Sequence, residues 1–326
     1  DGYIDTSIPE LAGADIQDKT PCTVQTDQET NDHATYIAQF LVAPDFGVAP
    51  GATIYSYAQA GLKRDAGSDC SLGSNSHALA DQAGLIEQAL NDGANIISIS
   101  TSFARSDAES LRWAVARAVV RGVPVVVSMG NEGQRNPDDV LGTWGGVIGA
   151  GALETDGRYA DYSNWGDGVS LVAVGEGVAR RASTNSIYTV AGTSFSAPLI
   201  AGVLALAWAG FGSDITSDQI LQALAATASG SGGQWNERTG YGEVDPVALL
   251  ASDPTQYRDA NPFEDKGGDL VVTFDNFEDY AAGVVDPRAI FNDDEYVYRG
   301  FDERVVNSDA YGYPAHLGTS PRYHAD

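Results

Sequence analysis

At 326 residues, 43% of them hydrophobic, the chain is long enough to bury one large core or a core with an appendage. Its 18 basic against 45 acidic side chains leave a formal charge of −27, which excludes nucleic acid and anionic membrane surfaces as partners by repulsion. The sequence holds no unbroken apolar run of about 18 residues, so no membrane span is predicted.

Lysine is confined to Lys19, Lys63 and Lys266. A densely acidic, lysine-poor surface suits a halophilic protein, whose self-repulsion is screened by counterions, and equally an ordinary acidic secreted protein. With no initiator Met and no charged-then-apolar leader, the chain reads as the mature or trimmed product of a secreted, extracellular protein. Cys22 and Cys70 both fall in polar, loop-like sequence. A disulfide in an oxidising compartment and a pair of unlinked thiols both fit, and two cysteines alone make no metal site.

In chain order, Tyr3-Ile4-Asp5 reads as the end of a short parallel strand, and residues 10–31, rich in Asp, Gln and Thr, read as loop. The spacing of Ile37, Phe40 and Leu41 predicts a helix over 33–42, turned by Gly47-Val48-Ala49-Pro50 into a strand over 52–57. A helix over 77–91 carries Leu79, Ala83, Ile86 and Leu90 on one face, with Gly93 as its stop. Strand 95–100, helix 108–121, strand 124–128 and strands 147–152 and 169–174 follow. This alternation predicts an α/β fold, a parallel sheet with helices on both faces and functional groups at the carboxyl ends of its strands. Asp5, Ser100-Thr101-Ser102 and Asn131 fall at such ends.

Gly192-Thr193-Ser194-Phe195-Ser196-Ala197-Pro198 then opens an apolar run with helical spacing through Leu199, Ile200, Val203 and Leu204. A helix N-terminus presents unpaired N–H groups and a positive dipole end to developing negative charge, and proline is tolerated in the first turn. By itself the stretch reads equally as an ordinary N-cap. A surface helix is predicted over 217–228. Residues 252–326 carry 16 acidic and 6 basic side chains and many aromatics, which argues against pure disorder. They read as an extension wrapped back on the preceding domain or as a small separate module, with strands at 270–274 and 296–298.

Asp5 lies in Tyr3-Ile4-Asp5-Thr6, His33 in Asp32-His33-Ala34-Thr35, Asn131 in Ser128-Met129-Gly130-Asn131-Glu132-Gly133, and Ser194 in the stretch above. In that order and on those local patterns, the chain resembles the subtilisin-like (subtilase) serine peptidases from Asp5 to about Leu250. Gly240-Tyr241-Gly242-Glu243-Val244-Asp245 and the apolar residues after it resemble that family's closing segment.

The resemblance implies a three-layer α/β sandwich over residues 1–251, followed by an acidic, aromatic-rich C-terminal extension over 252–326. It implies Ser194 as nucleophile, His33 as base and Asp5 as the carboxylate that orients the imidazole. Asn131 and the Ser194 N–H form the oxyanion hole, and Ser100, Thr101, Ser102, Met129 and Gly130 bind substrate. Ser102 and Met129 stand where the family usually has glycine and alanine, which implies a tight primary pocket; Ala34 likewise replaces a glycine. The implied activity is that of a secreted serine endopeptidase with a peptide or protein substrate, and a pro-segment or peptide inhibitor as a further partner. No cofactor is required. Structural calcium is frequent in the family, yet Asp65, Asp69, Asp138, Asp139 and Asp156 show no EF-hand spacing and no metal ligands are assigned. Two alternatives remain: a catalytically impaired peptide-binding protein of the same fold, and a specialised maturation peptidase.

Overall fold

A computed structural model describes residues 1–61, 63–72, 76–101, 109–135, 140–230, 234–266, 272–286, 289–290, 292–293 and 295–296. At its centre lie β3 (Ile97–Ile99), β4 (Val125–Ser128), β5 (Val147–Leu153) and β6 (Val169–Val174), parallel and adjacent in that order. Every residue of β4 and β5 is buried, because helices cover both faces and leave no polar side to the sheet. The alternation of side chains along β4 sorts the two layers. Val125 and Val127 pack with α2 (Gln82–Asn91) and α3 (Glu109–Val120). Val126 points the other way, with Ile148, Ala150 and Leu171, onto α4 (Thr193–Gly210) and α5 (Ser217–Thr227).

The strands predicted over 124–128, 147–152 and 169–174 therefore exist with small shifts of their ends. Two elements were invisible to periodicity. Within residues 10–31, read as loop, β1 (Ile16–Asp18) pairs in parallel with β2 (Ile54–Ser56). The following helix, α1 (Gln28–Val42), starts well before His33 because the Asp27 carboxylate caps the Thr30 N–H at 2.8 Å. The second is an antiparallel hairpin of β7 (Glu176–Arg181) and β8 (Ser186–Ala191), whose half-exposed, mixed side chains give no clean alternation. Conversely, Tyr3-Ile4-Asp5 forms no strand. A cavity of about 610 Å³ separates the β1–β2 pair from the main sheet, bounded by β2, β3 and Asp1.

By length and composition α4 is apolar enough to cross a membrane, although Thr193, Ser194 and Ser196 keep it from being an unbroken apolar run. Its apolarity serves the core instead. Ala197, Ile200, Val203, Leu204 and Ala207 are buried against β4, β5 and β6, and Gly202 lets Val48 approach so closely that a Cβ there would lie 2.0 Å from Val48 Cγ1.

Past α6 (Pro246–Ala251), the described residues fold onto the same core. Phe263 joins the α4 layer. Val272, Phe277, Tyr280, Val285, Ile290 and Tyr296 join the α2–α3 layer. Phe274 opens a short helix, α7 (Phe274–Ala281), and not the end of a strand, because Thr273 and Asn276 form a capping box. Residues 270–271 and 297–298 of the two strands expected in the extension lie outside the described residues. At the foot of α3 the fully buried Arg117 meets Glu87 and, at 3.2 Å, Asp293, while the Tyr280 hydroxyl donates to Asp293. Cys22 and Cys70 are joined in a disulfide with Cα atoms 5.1 Å apart, which decides between the two readings of the cysteines.

Candidate active site

Three elements bring the candidate side chains together: the chain start, the second turn of α1 and the N-terminus of α4. His33 stands on α1 with its Nδ1 3.1 and 2.8 Å from the two carboxylate oxygens of Asp1. The expectation that Asp5 orients this imidazole is corrected here. The exposed Asp5 carboxylate instead accepts the Ser7 N–H at 2.9 Å and the Ser7 hydroxyl at 2.6 Å, an Asx-type turn, while its own N–H donates to Thr35 Oγ1. Gln59 N donates to the Asp1 carbonyl and Tyr3 N to Asn31 Oδ1, so the main chain on either side of the Asp1 side chain is held. Asp1 was missed because the pattern Tyr3-Ile4-Asp5-Thr6 drew the assignment to Asp5.

Burial pushes the His33 imidazole down to about 4. The imidazole is thus neutral near pH 7, with a carboxylate placed to accept its Nδ1–H. Its ring lies 6.1 Å from that of Phe195, which packs in turn at a tilt against Phe40, with ring centroids 5.0 Å apart. Phe195 follows Ser194 directly, so this aromatic packing seats the imidazole beside the start of α4.

Ser194 is half-buried in the first turn of α4. Its Oγ donates to the Ser100 carbonyl at 2.9 Å, and Ser100 Oγ donates back to the Ser194 carbonyl at 3.0 Å. The serine's single hydroxyl proton is therefore held by the end of β3 and not by His33 in this rotamer. Ser100 and Thr101 continue β3 beside Ser194; Ser102 lies outside the described residues.

Asn131 follows β4 and is pinned from one side. Its Oδ1 accepts both the Thr193 N–H at 2.8 Å and the Thr193 hydroxyl at 3.0 Å. Thr193 Oγ1 also accepts from Gly130 N at 3.0 Å. With Oδ1 so occupied, the Nδ2 donor is the end left for a ligand. Gly192 makes room for it: its φ is +154° and a Cβ there would lie 3.2 Å from Asn131 Nδ2. Sequence reasoning did not single out Thr193, whose neighbours Gly192 and Ser194 drew the attention.

Met129 does not border the substrate surface as expected. Its side chain is fully buried in a cluster with Val140, Leu153, Val169 and Val172. Gly130 is buried as well, its N–H donating to Thr193 Oγ1 and its carbonyl accepting from Asn164 N. Asn164, absent from the sequence reading, fixes the segment from behind, its Nδ2 donating to the Met129 carbonyl and its N–H to the Gly130 carbonyl.

Among the described residues, no three or more His, Cys, Asp or Glu side chains come together as a metal site. The acids considered for calcium are engaged elsewhere: Asp69 with Thr23, Asp156 with Arg158, and Asp65 with Arg64. Asp138 and Asp139 lie outside the described residues.

A family model described as "Subtilase family" matches residues 7–242. A thermostable alkaline protease of Halalkalibacterium halodurans is 32% identical over 206 residues, covering 62% of this chain and 53% of its own length. Subtilisin DY of Bacillus licheniformis is 27% identical over 226 residues, covering 67% of this chain and 78% of its own. The chain thus spans about half the length of the first of these relatives. Among solved structures, the patellamide maturation protease PatA shares the fold with a TM-score of 0.57 at 24% identity, over 77% of this chain and 93% of the other.

Proposed function

The chain belongs to the subtilase family, and we propose that it is a secreted serine endopeptidase that cleaves peptide bonds through an acyl-enzyme on Ser194. The observation that carries this reading is the Asp1–His33 pair, buttressed by Phe195 at the very turn that bears Ser194.

In this mechanism a χ1 rotation moves the Ser194 hydroxyl from the Ser100 carbonyl to His33 Nε2. His33 takes the proton as Oγ attacks the substrate carbonyl. The Asp1 carboxylate holds the Nδ1–H tautomer and stabilises the imidazolium, in the role first expected of Asp5. The carbonyl π electrons move onto oxygen, where Asn131 Nδ2 and the Ser194 N–H receive them. When the tetrahedral species collapses, the C–N bond breaks and the imidazolium gives its proton to the leaving amine. Water, deprotonated by the same imidazole, then cleaves the ester. The extended substrate pairs by main-chain hydrogen bonds with the edge at Ser100-Thr101, which makes unfolded or loop segments the substrate class.

The test is paired. Ser194→Ala abolishes hydrolysis of a denatured protein substrate while retaining the folded circular dichroism spectrum, and a fluorophosphonate labels wild-type Ser194 stoichiometrically. A folded wild type that neither turns over nor labels overturns the reading.

A maturation peptidase cutting one partner is the second reading, favoured by the shared fold with a maturation protease. A cleavage-site profile separates the two: many unrelated sites mark a general endopeptidase, and a single recurring site marks a maturation enzyme.

A further inference from the structure

Lys266 lies outside the matched family region and plays no part in the chemistry above. It is the C-terminal extension's only lysine, and its placement is unusual. The side chain is half-buried, and its Nζ donates to two main-chain carbonyls, Gly142 at 2.6 Å and Gly168 at 3.0 Å. These belong to separate segments, one ahead of β5 and one ahead of β6. An amine shared between two carbonyl oxygens from different loops does the work of a bound cation, with the difference that this one is tethered to the chain.

The two carbonyls belong to the cradle of a single side chain. A Cβ on Gly142 would lie 2.5 Å from Met129 Sδ, one on Gly149 2.6 Å from the same atom, and one on Gly168 2.8 Å from Met129 Cε. Three glycines thus leave a slot shaped to the Met129 thioether, and Lys266 fastens two of its walls. Met129 is the residue directly before Gly130 and Asn131. Its N–H is held by the Ala150 carbonyl and its carbonyl by Asn164, so the thioether in its slot is the third anchor of this strand end.

We propose that Lys266 is a positioning residue for the oxyanion side of the site: through Gly142 and Gly168 it fixes the Met129 slot, and through Met129 it fixes the placement of Gly130 and Asn131. The proposal rests on the peptidase reading above. It gives the extension a function in turnover, since the chain that follows the family region delivers the amine. Removing the amine would leave two carbonyls without their donor, beside a cavity of about 360 Å³ that Lys266 lines together with Asp167, Trp235, Tyr241 and Phe263. That cavity, lined in part by acidic side chains, offers a small cation a route to the vacated place.

The experiment compares wild type with Lys266→Ala and Lys266→Arg at pH 6, below the value of about 7 to which burial lowers the lysine, so that the native group is an ammonium. Misplacing an oxyanion donor acts on the transition state, so Lys266→Ala is expected to lower kcat about tenfold or more with KM within about twofold. Ethylammonium at tens of millimolar should restore at least a third of the lost kcat and raise the thermal midpoint of the variant, with no effect on wild type. Lys266→Arg, which keeps a cation at the end of the chain, should lose less than Lys266→Ala. Three results would overturn the proposal: kcat unchanged with only the midpoint lowered, KM and kcat altered together without rescue, or a midpoint indifferent to ethylammonium. An inactive wild type in the same plates would instead overturn the peptidase reading, and the ethylammonium-dependent midpoint would still report on the carbonyl pair.

Discussion

Neutralising Asp1 and Asp5 one at a time separates the geometry found here from the pattern read in the sequence. In Asp1→Asn, His33 loses a carboxylate with both oxygens near Nδ1, at 3.1 and 2.8 Å. Two effects combine. The imidazolium formed during attack no longer has an adjacent negative charge. The new amide can also donate to Nδ1, which favours the tautomer whose Nε2 already carries a proton and cannot act as a base. Losing the orienting carboxylate of such a relay costs about 10⁴-fold in kcat, equivalent to about 5.4 kcal/mol of transition-state stabilisation. Asp5→Asn removes a surface charge and keeps an amide oxygen that can still accept from Ser7, so kcat/KM should stay within about threefold of wild type. Initial rates on a chromogenic peptide, normalised by active-site titration, measure both variants. A near-complete loss in Asp5→Asn with more than a tenth of activity retained in Asp1→Asn would refute the assignment.

Asn131→Leu keeps the branched shape but removes the Nδ2 donor together with the Oδ1 acceptor for Thr193, so kcat should fall about 10²–10³-fold or more; a drop below tenfold would show that the amide does not meet the oxyanion. The depressed imidazole sets the acid side of the pH profile: kcat/KM should rise through about pH 4 and not through the usual histidine range, and an acid limb at 6.5 or above would show that the Asp1 carboxylate outweighs burial. The same group binds more protons unfolded than folded between the two values, so its contribution to stability is complete above about 6.5 and is lost as pH falls towards 4, as denaturant titrations at pH 7 and 5 would register. Reducing the Cys22–Cys70 bridge, which closes a loop of sequence separation 48, should lower stability by about 4 kcal/mol on the chain-entropy estimate; an unchanged midpoint after reduction would contradict it.

Much of this protein is written in local sequence. The valine run 125–127, bounded by turns and alternating with helical stretches, can only be a strand covered on both faces, and the central sheet follows from it. Ser194, His33 and Asn131 were legible for a related reason. Each was read from a short local pattern that, in its order along the chain, resembles the subtilases, although His33 lies inside α1 and only Ser194 and Asn131 stand near element ends. Asp5 shows where such reading stops. Two aspartates four residues apart lie at the start of the chain, and local pattern favours the one after Tyr3-Ile4, but which carboxylate meets an imidazole on α1 is a matter of distance through space. The same holds for Thr193 against Asn131, for Cys22 against Cys70, and for Lys266 against Gly142 and Gly168. Element type is fixed by neighbours within a few residues, whose periodicity the sequence displays. These pairings join residues tens to more than a hundred positions apart, and only the packing of the helices on the sheet brings them within hydrogen-bonding or covalent reach.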